Sequence, residues 1–175
     1  MSLLLYLCFM VFGDSLLLVD FSKTNALEDW YVVDDGVMGG LSQGSLLINQ
    51  EDHAVFSGQI SLDNYGGFTS VRHVMSPTDC TPYTKLVLRV KGDGKKYQFR
   101  IKSKRRDYYS YIQYFKTTGD WELIELNLSD FYPSFRGRTL QSPNFSGGPI
   151  EELGILFGNK KVESFELELA TISLK

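Results

Sequence analysis

The sequence predicts an all-β protein, an antiparallel β-sandwich with the strand count of a jelly roll. Three observations predict it. Apolar and polar side chains alternate along many short segments, turn-forming residues separate these segments, and no amphipathic helix of three turns is found. The composition agrees, with ten Tyr, twelve Phe and sixteen Gly in 175 residues. Aromatic residues favour strands, and glycines favour the turns between strands.

Four segments carry an alternation with a period of two residues. In each, apolar side chains share one face and polar side chains the other, as expected for antiparallel strands that bury a single face. The segments are KLVLRVK (85–91), YQFRIK (97–102), ELIELNL (122–128) and FELEL (165–169). The phase then slips between Leu169 and Ile172, which predicts a β-bulge there.

Turn signals lie between the segments. Asp93 and Gly94 favour the positive φ values of a tight hairpin turn. We count nine or ten strands and one short turn near residues 25–29. The longest irregular stretch, residues 129–149, holds three of the five prolines and is a candidate functional loop. Because no linker, repeat or low-complexity tract interrupts the pattern, residues 14–175 are predicted to form a single domain.

The N-terminal segment is treated separately because residues 3–12 form an uncharged apolar run, LLLYLCFMVF. Ten residues are too few to span a bilayer and match the hydrophobic region of a secretory signal. Residues 1–13 are therefore predicted to be a signal peptide or apolar leader, with cleavage after Gly13 and no stable membrane span. The alternative is a buried first strand in a cytoplasmic protein. Cleavage would remove Cys8 and leave Cys80 as the only thiol.

Several function classes are not supported by the residues. A net charge of −3 argues against a dedicated nucleic-acid binder, and the basic residues within 91–106 are explained by a solvated strand face and a hairpin tip. The GDSL string at residues 13–16 matches an esterase motif, but that chemistry needs a suitably placed histidine, and the chain has only His53 and His73. We therefore predict no enzyme, no catalytic residue and no cofactor.

The glycine-rich stretch DDGVMGG (34–40) admits three interpretations. A phosphate cradle would run into a helix N-terminus, whereas this stretch runs into another strand pattern. A calcium site is a weak alternative, because Asp34, Asp35 and Asp63 are hard oxygen ligands on turns, near Asn64. The favoured interpretation is a strand-to-strand corner in which the carboxylates cap exposed amides.

A tyrosine cluster, YYSYIQYF (108–115), offers a candidate binding surface. Alternation places Tyr109, Tyr111 and Phe115 on one face, with Tyr108 and Tyr114 on the other. One face is expected in the core, and the other would present aromatic rings to a sugar or to a protein partner. Burial of both faces remains the alternative.

Several stretches, in order along the chain, resemble the complex I intermediate-associated protein 30 family. The resemblance extends from about Asp20 to Leu174. The matching pieces are Trp30, DDGVMGGLS (34–42), FSG (56–58), LDNYGGFTSVR (62–72), LRVKGDGKKY (88–97), Trp121, FRGR (135–138), LGILFGNK (153–160) and FELELATI (165–172).

The resemblance implies a galactose-binding-like jelly roll, akin to family 11 carbohydrate-binding modules, and a non-enzymatic role. Mitochondrial members help to assemble the membrane arm of respiratory complex I. This chain lacks an Arg- and Ser-rich transit segment, and its short leader looks bacterial. We therefore expect export to a bacterial periplasm, and no family-wide sugar ligand or catalytic residue can be transferred.

The family motifs define a set of corner residues with a structural or binding role. They are Trp30, Asp34, Asp35, Gly36, Gly39, Gly40, Asp63, Asn64, Gly66, Gly67 and Arg72. We expect the corner at 34–40 to pack against a second corner at 66–68. We also expect the guanidinium group of Arg72 to pair with Asp34 or Asp35 in a charge-assisted bond.

The sequence thus predicts a binding module that serves as an assembly or scaffold factor for a protein partner, such as respiratory complex subunits. The candidate partner-binding residues are Tyr108, Tyr109, Tyr111, Arg136 and Arg138, on a sandwich face and the 129–149 loop. Alanine at Tyr109 and Tyr111, or at Arg136 and Arg138, is expected to abolish binding with little change in melting temperature. The alternative is a carbohydrate-binding module that uses a concave aromatic face to hold a glycan.

Overall fold

The computed structural model describes residues 15–175, without the side chains of Val37 and Met38, and shows two antiparallel sheets packed face to face. The predicted leader at residues 1–13, its cleavage site and Cys8 lie outside the described residues. Within them, the predicted all-β antiparallel sandwich is confirmed. No helix among residues 15–175 has the length and apolarity needed to cross a membrane.

The described residues form thirteen strands and three short 3-10 turns. The strands are β1 (Leu16–Asp20), β2 (Trp30–Asp34), β3 (Gln43–Ile48), β4 (Ala54–Gln59), β5 (Thr69–Asp79), β6 (Lys85–Lys91), β7 (Lys96–Lys102), β8 (Ser110–Lys116), β9 (Trp121–Asn127), β10 (Tyr132–Phe135), β11 (Arg138–Thr139), β12 (Pro149–Phe157) and β13 (Ser164–Leu174). The turns are Asp35–Met38, Asp63–Tyr65 and Leu128–Asp130.

Each sheet has a distinct strand order. The seven-stranded sheet runs β11-β10-β8-β7-β12-β5-β2. The six-stranded sheet runs β3-β4-β13-β6-β9, and β1 pairs with β13 beside this path. The predicted count of nine or ten strands is too low. Strands β10 and β11 have only four and two residues, too few for alternation to be visible, and they lie in the stretch predicted to be an irregular loop.

The core lies between the two sheets, on the faces that alternation predicts. Leu86, Leu88 and Val90 in β6 are fully buried, and so are the apolar residues of β7. The predicted bulge is confirmed, because the pairing of β13 with β6 shifts between Leu169 and Thr171. The extra residue returns Ile172 to the buried face.

Aromatic rings join the two sheets at one end of the core. Phe157 of β12 stacks on Phe165 of β13 with ring centroids 4.3 Å apart, and Tyr97 of β7 lies 5.0 Å from Phe157. The buried Tyr97 hydroxyl donates a hydrogen bond to the Asp93 carboxylate (2.8 Å) or to the Glu166 carbonyl (2.9 Å). The Tyr97 hydroxyl therefore has a hydrogen-bond partner although the rings around it are apolar.

Cys80 is expected to be unreactive in the folded protein. Its thiol is fully buried and lies 2.8 Å from the Gly148 carbonyl. Burial, and next the charge of Asp79, raise the pKa of this thiol to about 11, so little reactive thiolate forms near neutral pH. Timed alkylation of Cys80, followed by peptide mass spectrometry, should show modification only after denaturant is added. Rapid labelling of Cys80 in the native protein would contradict this expectation.

Candidate functional site

The two predicted corners contact each other through the carboxylate of Asp35. This carboxylate follows β2 and accepts hydrogen bonds from three backbone amides, those of Ser42 (3.1 Å), Gly67 (2.6 Å) and Phe68 (3.3 Å). A further bond joins the corners where the Asn64 side-chain amide donates to the carbonyl of Gly39 (2.9 Å). The glycine-rich stretch is therefore the corner that the sequence predicts, built around one buried carboxylate.

Close approach to Asp35 explains two of the corner glycines. A Cβ atom at Gly40 would overlap the Asp35 carboxylate, and one at Gly66 would lie 2.6 Å from its Oδ2. Burial raises the pKa of Asp35, but the hydrogen bonds from Ser42, Gly67 and Phe68 outweigh burial, and the pKa is lowered overall. The ionised form of Asp35 therefore stabilises the corner.

Asp34 has a similar structural role beside the corner. Its Oδ1 accepts hydrogen bonds from the backbone amide of Gly44 (3.1 Å) and from the Thr69 hydroxyl, linking β2 to β3 and β5. The calcium alternative requires Asp34, Asp35 and Asp63 to face one point. The structure does not bring them together, because the one group of three potential metal ligands found among residues 15–175 lies elsewhere.

The predicted ion pair between Arg72 and Asp34 or Asp35 is wrong. No salt bridge among the described residues includes Arg72, and the partners of both carboxylates are amides and the Thr69 hydroxyl. Asp34 lies opposite Thr69, whereas Arg72 lies opposite Tyr31. Three residues along a strand separate the positions by about 10 Å, beyond the reach of a direct ion pair.

Trp30, the first of the family-motif residues, belongs to the core. Its ring is almost completely buried. The ring stacks on that of His73, with centroids 5.0 Å apart, and its centroid lies 5.4 Å from that of Phe21. Trp30 therefore packs β2 against β5 and against Phe21, the residue that follows β1. Its role in the described structure is packing.

The predicted tyrosine surface lies at one margin of the seven-stranded sheet. We call Tyr108, Tyr109, Tyr111, Phe135 and Phe145 the aromatic rim. Successive rings meet edge to face, with centroids 5.3 Å apart from Phe135 through Tyr108 and Tyr109 to Tyr111, and on to Phe145. Tyr108 is 67% exposed, whereas Tyr111 is partly buried against the core. The exposure of the rings in the aromatic rim therefore decreases from Tyr108 toward Phe145.

Arg136 and Arg138 extend the rim into solvent. They flank Gly137 in the hairpin between β10 and β11, where Arg136 and Gly137 have φ values of 49° and 76°. Two consecutive positive φ values are typical of the tight turns that join antiparallel strands. The Arg136 guanidinium group lies 5.2 Å from the ring centroid of Phe135, and Arg138 is exposed. Both cations are thus available to a partner at the sheet margin.

Two tyrosines of the rim are expected to differ in their effect on stability. The structure argues against the expectation that alanine at Tyr111 leaves the melting temperature nearly unchanged, because this ring packs on the core. We expect Tyr111→Ala to lower the free energy of unfolding by about 2–4 kcal/mol. Tyr108→Ala should cost less than about 1 kcal/mol, since its ring loses only edge contacts. Urea unfolding of both variants measures the difference, and equal losses would contradict this placement.

A second surface was not predicted from the sequence. We call it the outer face: the side of the seven-stranded sheet that is turned away from the six-stranded sheet. Strand pairing aligns one residue from each of six strands straight across this face. This central row consists of Tyr132, Ile112, Arg100, Gly154, Arg72 and Tyr31.

The middle of the outer face is recessed. Gln98, Ser110, Ile112 and Glu152 point away from the inter-sheet core by alternation, and each is less than 8% exposed. Side chains at the centre of a flat, open sheet face would be more exposed. The hydroxyl of Tyr31 donates a hydrogen bond to Glu152 Oε2 at 3.4 Å, across the intervening β5. The outer face therefore holds buried polar groups, and a few such placed groups fix the orientation of ligands in binding sites.

Two arginines dominate the charge of this recess. The Nε atom of Arg100 is buried without a hydrogen-bond partner in the described part of the chain. Burial, together with the charge of Arg72, lowers the pKa of Arg100 to about 10, although Glu152 and Tyr114 act in the opposite direction. In the sequence, the only sign of this surface was the set of polar residues that alternate with apolar ones in YQFRIK (97–102). These polar residues were interpreted only as a solvated strand face.

The group of three potential metal ligands lies on the six-stranded sheet. The His53 Nδ1 atom is 3.7 Å from Glu51 Oε2 and 3.9 Å from Glu168 Oε2. Both oxygens of Glu168 already accept hydrogen bonds, from Lys91 Nζ and from Asn49 Nδ2, each at 3.1 Å. Because both Glu168 oxygens already have these partners, we assign the cluster no metal.

The two sheets form a β-sandwich whose fold is similar to that of carbohydrate-binding modules. A family 11 carbohydrate-binding module from Clostridium thermocellum, solved with a β-1,3-1,4-mixed-linked tetrasaccharide, has a TM-score of 0.62 and 16% identity over 91% of this chain and 94% of that one. An agarase, AgWH50C, has a TM-score of 0.57 and 12% identity over 92% of this chain and 24% of the agarase. At these identities the likeness shows the fold alone.

The chain belongs to the complex I intermediate-associated protein 30 (CIA30) family, whose profile matches residues 19–169. The resemblance seen in the sequence is thereby confirmed. The mitochondrial complex I intermediate-associated protein 30 of Drosophila melanogaster is 25% identical over 148 residues. The match covers 72% of this chain and 50% of the Drosophila protein, so the chain spans about half the length of this curated relative.

Proposed function

We propose that this chain is a non-enzymatic binding module that holds a protein partner during the assembly of a larger complex. The family supports this proposal, because a relative is named as a complex I intermediate-associated protein. The partners are then subunits or intermediates of respiratory complex I. The working surface is the outer face, together with the aromatic rim and the hairpin that carries Arg136 and Arg138.

The observation that carries the proposal is the central row. It places two arginines near the middle of six strands and one tyrosine at each end of the row. Tyr and Arg are the residue types most often enriched at the energetic centres of protein interfaces. Half-buried arginines without ion-pair partners add little to the stability of an isolated domain. Such residues are better explained by a partner that completes their interactions.

The assembly role is tested by deleting the coding sequence in the source organism and separating solubilised membranes by native electrophoresis. We expect less mature complex I and an accumulated intermediate, restored by the intact protein. A triple variant, Tyr108→Ala with Arg136→Ala and Arg138→Ala, should restore assembly less well. A matched variant, Lys23→Ala with Lys161→Ala, removes exposed cations elsewhere and should restore it fully. Normal complex I in the deletion strain would contradict the assembly role.

Glycan binding is the second candidate, favoured by one observation. The fold matches a module that was solved with a bound mixed-linkage tetrasaccharide, and the outer face of this chain also carries tyrosines. Affinity electrophoresis in gels containing mixed-linkage β-glucan or agarose tests it directly. Retardation that is lost on Tyr31→Ala and Tyr132→Ala would support this second candidate. Unchanged mobility in both gels would remove it for these glycans.

Export to a bacterial periplasm is part of the proposal and depends on the apolar run at residues 3–12. N-terminal sequencing of the protein purified from its native source provides the test. A chain that begins at Asp14 supports export, and one that retains Met1 supports the cytoplasmic alternative.

A further inference from the structure

Gly154 lies between two guanidinium-bearing side chains in the middle of the outer face. This residue of β12 pairs with Arg100 of β7 on one side and with Arg72 of β5 on the other. A Cβ atom placed on Gly154 would lie 3.7 Å from the Cβ of Arg100 and 3.7 Å from the Cγ of Arg72. Both stems therefore border the same narrow space above Gly154, which is kept free of a Cβ atom.

Neither arginine forms a salt bridge in the described part of the chain, although Glu152 is near enough to Arg100 to favour its charged form. Five of the seven close acid–base pairs found there have a lysine as the base, two have His53, and none has an arginine. Two half-buried like charges that share one nearby carboxylate, and form no salt bridge, are unfavourable for the folded state. A bound anion removes this cost, and planar guanidinium groups match the two oxygens of a carboxylate.

The charge of the outer face is opposite to that of the chain as a whole. The paired parts of β5, β7, β8 and β12 direct five cations outward and two carboxylates, those of Asp79 and Glu152. The cations are Arg72, Lys96, Arg100, Lys102 and Lys116. The whole chain carries a net charge of −3. A cationic recess on an acidic protein attracts anionic partners by charge complementarity.

The neighbouring groups favour a peptide over a sugar chain. Lys96 Nζ lies 4.0 Å above the ring centroid of Tyr114, so this ring face is covered and not free to stack on a sugar. The Tyr31 hydroxyl is occupied by its hydrogen bond to Glu152. The recess therefore offers charge recognition more than aromatic stacking, and acidic side chains are the carboxylates that a protein partner supplies.

We propose that Arg72 and Arg100, on either side of Gly154, form an anion slot that binds the carboxylates of an extended acidic segment of the protein partner. This inference rests on the proposed function and names the chemistry of its surface. The central row spans five strand intervals, or about 24 Å, which accommodates about seven residues of extended peptide. Tyr31 and Tyr132 flank the slot at the two ends of the row.

The slot is tested with a defined probe, a poly-L-glutamate of about twenty residues, titrated into the purified protein and followed by NMR. We expect shifts concentrated at the amides of Arg72, Arg100 and Gly154, and weaker binding as salt is raised from 50 to 300 mM. The double variant Arg72→Gln with Arg100→Met should bind at least tenfold more weakly, because two charge-assisted contacts are lost. Arg89→Gln is the matched control, since Arg89 lies on the six-stranded sheet, and it should bind as the unmodified protein does.

Melting temperatures distinguish a binding slot from a structural role. Because a half-buried unpaired charge is removed, Arg100→Met should melt at an equal or higher temperature than the unmodified protein. Gly154→Ala should retain folding, since its Cβ would lie 3.2 Å from the Val71 carbonyl and otherwise in ordinary contact, yet it should weaken probe binding by narrowing the slot. A large fall in melting temperature for Arg100→Met would make Arg100 structural and overturn the slot.

Three binding outcomes would also overturn the inference. They are no binding of poly-L-glutamate at low salt, equal binding by the double variant, and tighter binding of polygalacturonate through the same arginines. The last outcome would assign the slot to acidic polysaccharides. If the double variant lost the probe but restored complex I assembly fully, the partner would not use the slot, and the proposed function would survive. Normal assembly in the deletion strain would instead remove the proposed function.

Discussion

Replacing Asp35 with alanine is expected to lower the free energy of unfolding by about 3–5 kcal/mol, enough to unfold a marginally stable domain. The Asp35 carboxylate is 4% exposed and accepts hydrogen bonds from the amides of Ser42, Gly67 and Phe68. Alanine leaves these donors without an acceptor in a site that water reaches poorly. Urea denaturation monitored by tryptophan fluorescence measures the loss.

Asp63→Asn provides the matched control for this variant. Asp63 lies next to the facing corner and is exposed to solvent. Its replacement should therefore change the free energy of unfolding by less than about 0.5 kcal/mol. Equal effects of the two replacements would show that the buried carboxylate does not hold the corners together.

The same carboxylate predicts an acid sensitivity. The folded-state pKa of Asp35 is lowered from its ordinary value of 3.8, so ionised Asp35 contributes stability that is fully present above that unfolded value. The contribution is lost as pH falls below about 4 and through the folded pKa. The stability of Asp35→Asn should therefore fall less steeply between about pH 4 and pH 2. A parallel decline in both proteins would contradict this assignment.

Replacing Phe157 with alanine is expected to cost about 3–5 kcal/mol of unfolding free energy. Its ring is fully buried in β12 and stacks on Phe165 of the opposite sheet, beside Tyr97. The neighbours belong to strands on both sheets, so they cannot easily close the cavity. Thermal unfolding by circular dichroism should show a much lower melting temperature.

Leu123→Ala is the control for the loss of apolar volume. Leu123 lies in β9 and is 68% exposed, so little buried surface is lost when it is shortened. Its melting temperature should stay close to that of the unmodified protein. If Phe157→Ala were as mild as Leu123→Ala, the two sheets would not depend on this aromatic contact.

The fold could be predicted because its signals are local. Alternation in β6, β7 and β13 identifies the buried faces, and the phase slip after Leu169 identifies the bulge, each from fewer than a dozen neighbouring residues. The corner at Asp35 was also predictable, since adjacent glycines and Asx residues indicate a tight turn that caps its own amides. Short strands such as β11 were missed because an alternation of apolar and polar side chains cannot be recognised over two residues.

The outer face could not be predicted because its residues meet only through strand register. Tyr31 and Gly154 are more than a hundred residues apart and reach one row because β2, β5 and β12 pair in a particular alignment. The failed pairing of Arg72 with Asp34 has the same cause, an offset of three residues along β5. Tyr111 was ambiguous because a tyrosine suits both a core and a binding surface.

The most direct test of the outer face as the working surface compares lysine acetylation, by mass spectrometry, in the free protein and in its complex purified with the native partner. Lys96, Lys102 and Lys116 lie on the outer face, whereas Lys85, Lys91 and Lys175 lie on the six-stranded sheet or at its end. We expect the partner to slow acetylation of the first three lysines and to leave the other three unchanged. Protection of Lys85, Lys91 and Lys175, with unchanged labelling of the outer-face lysines, would contradict the account.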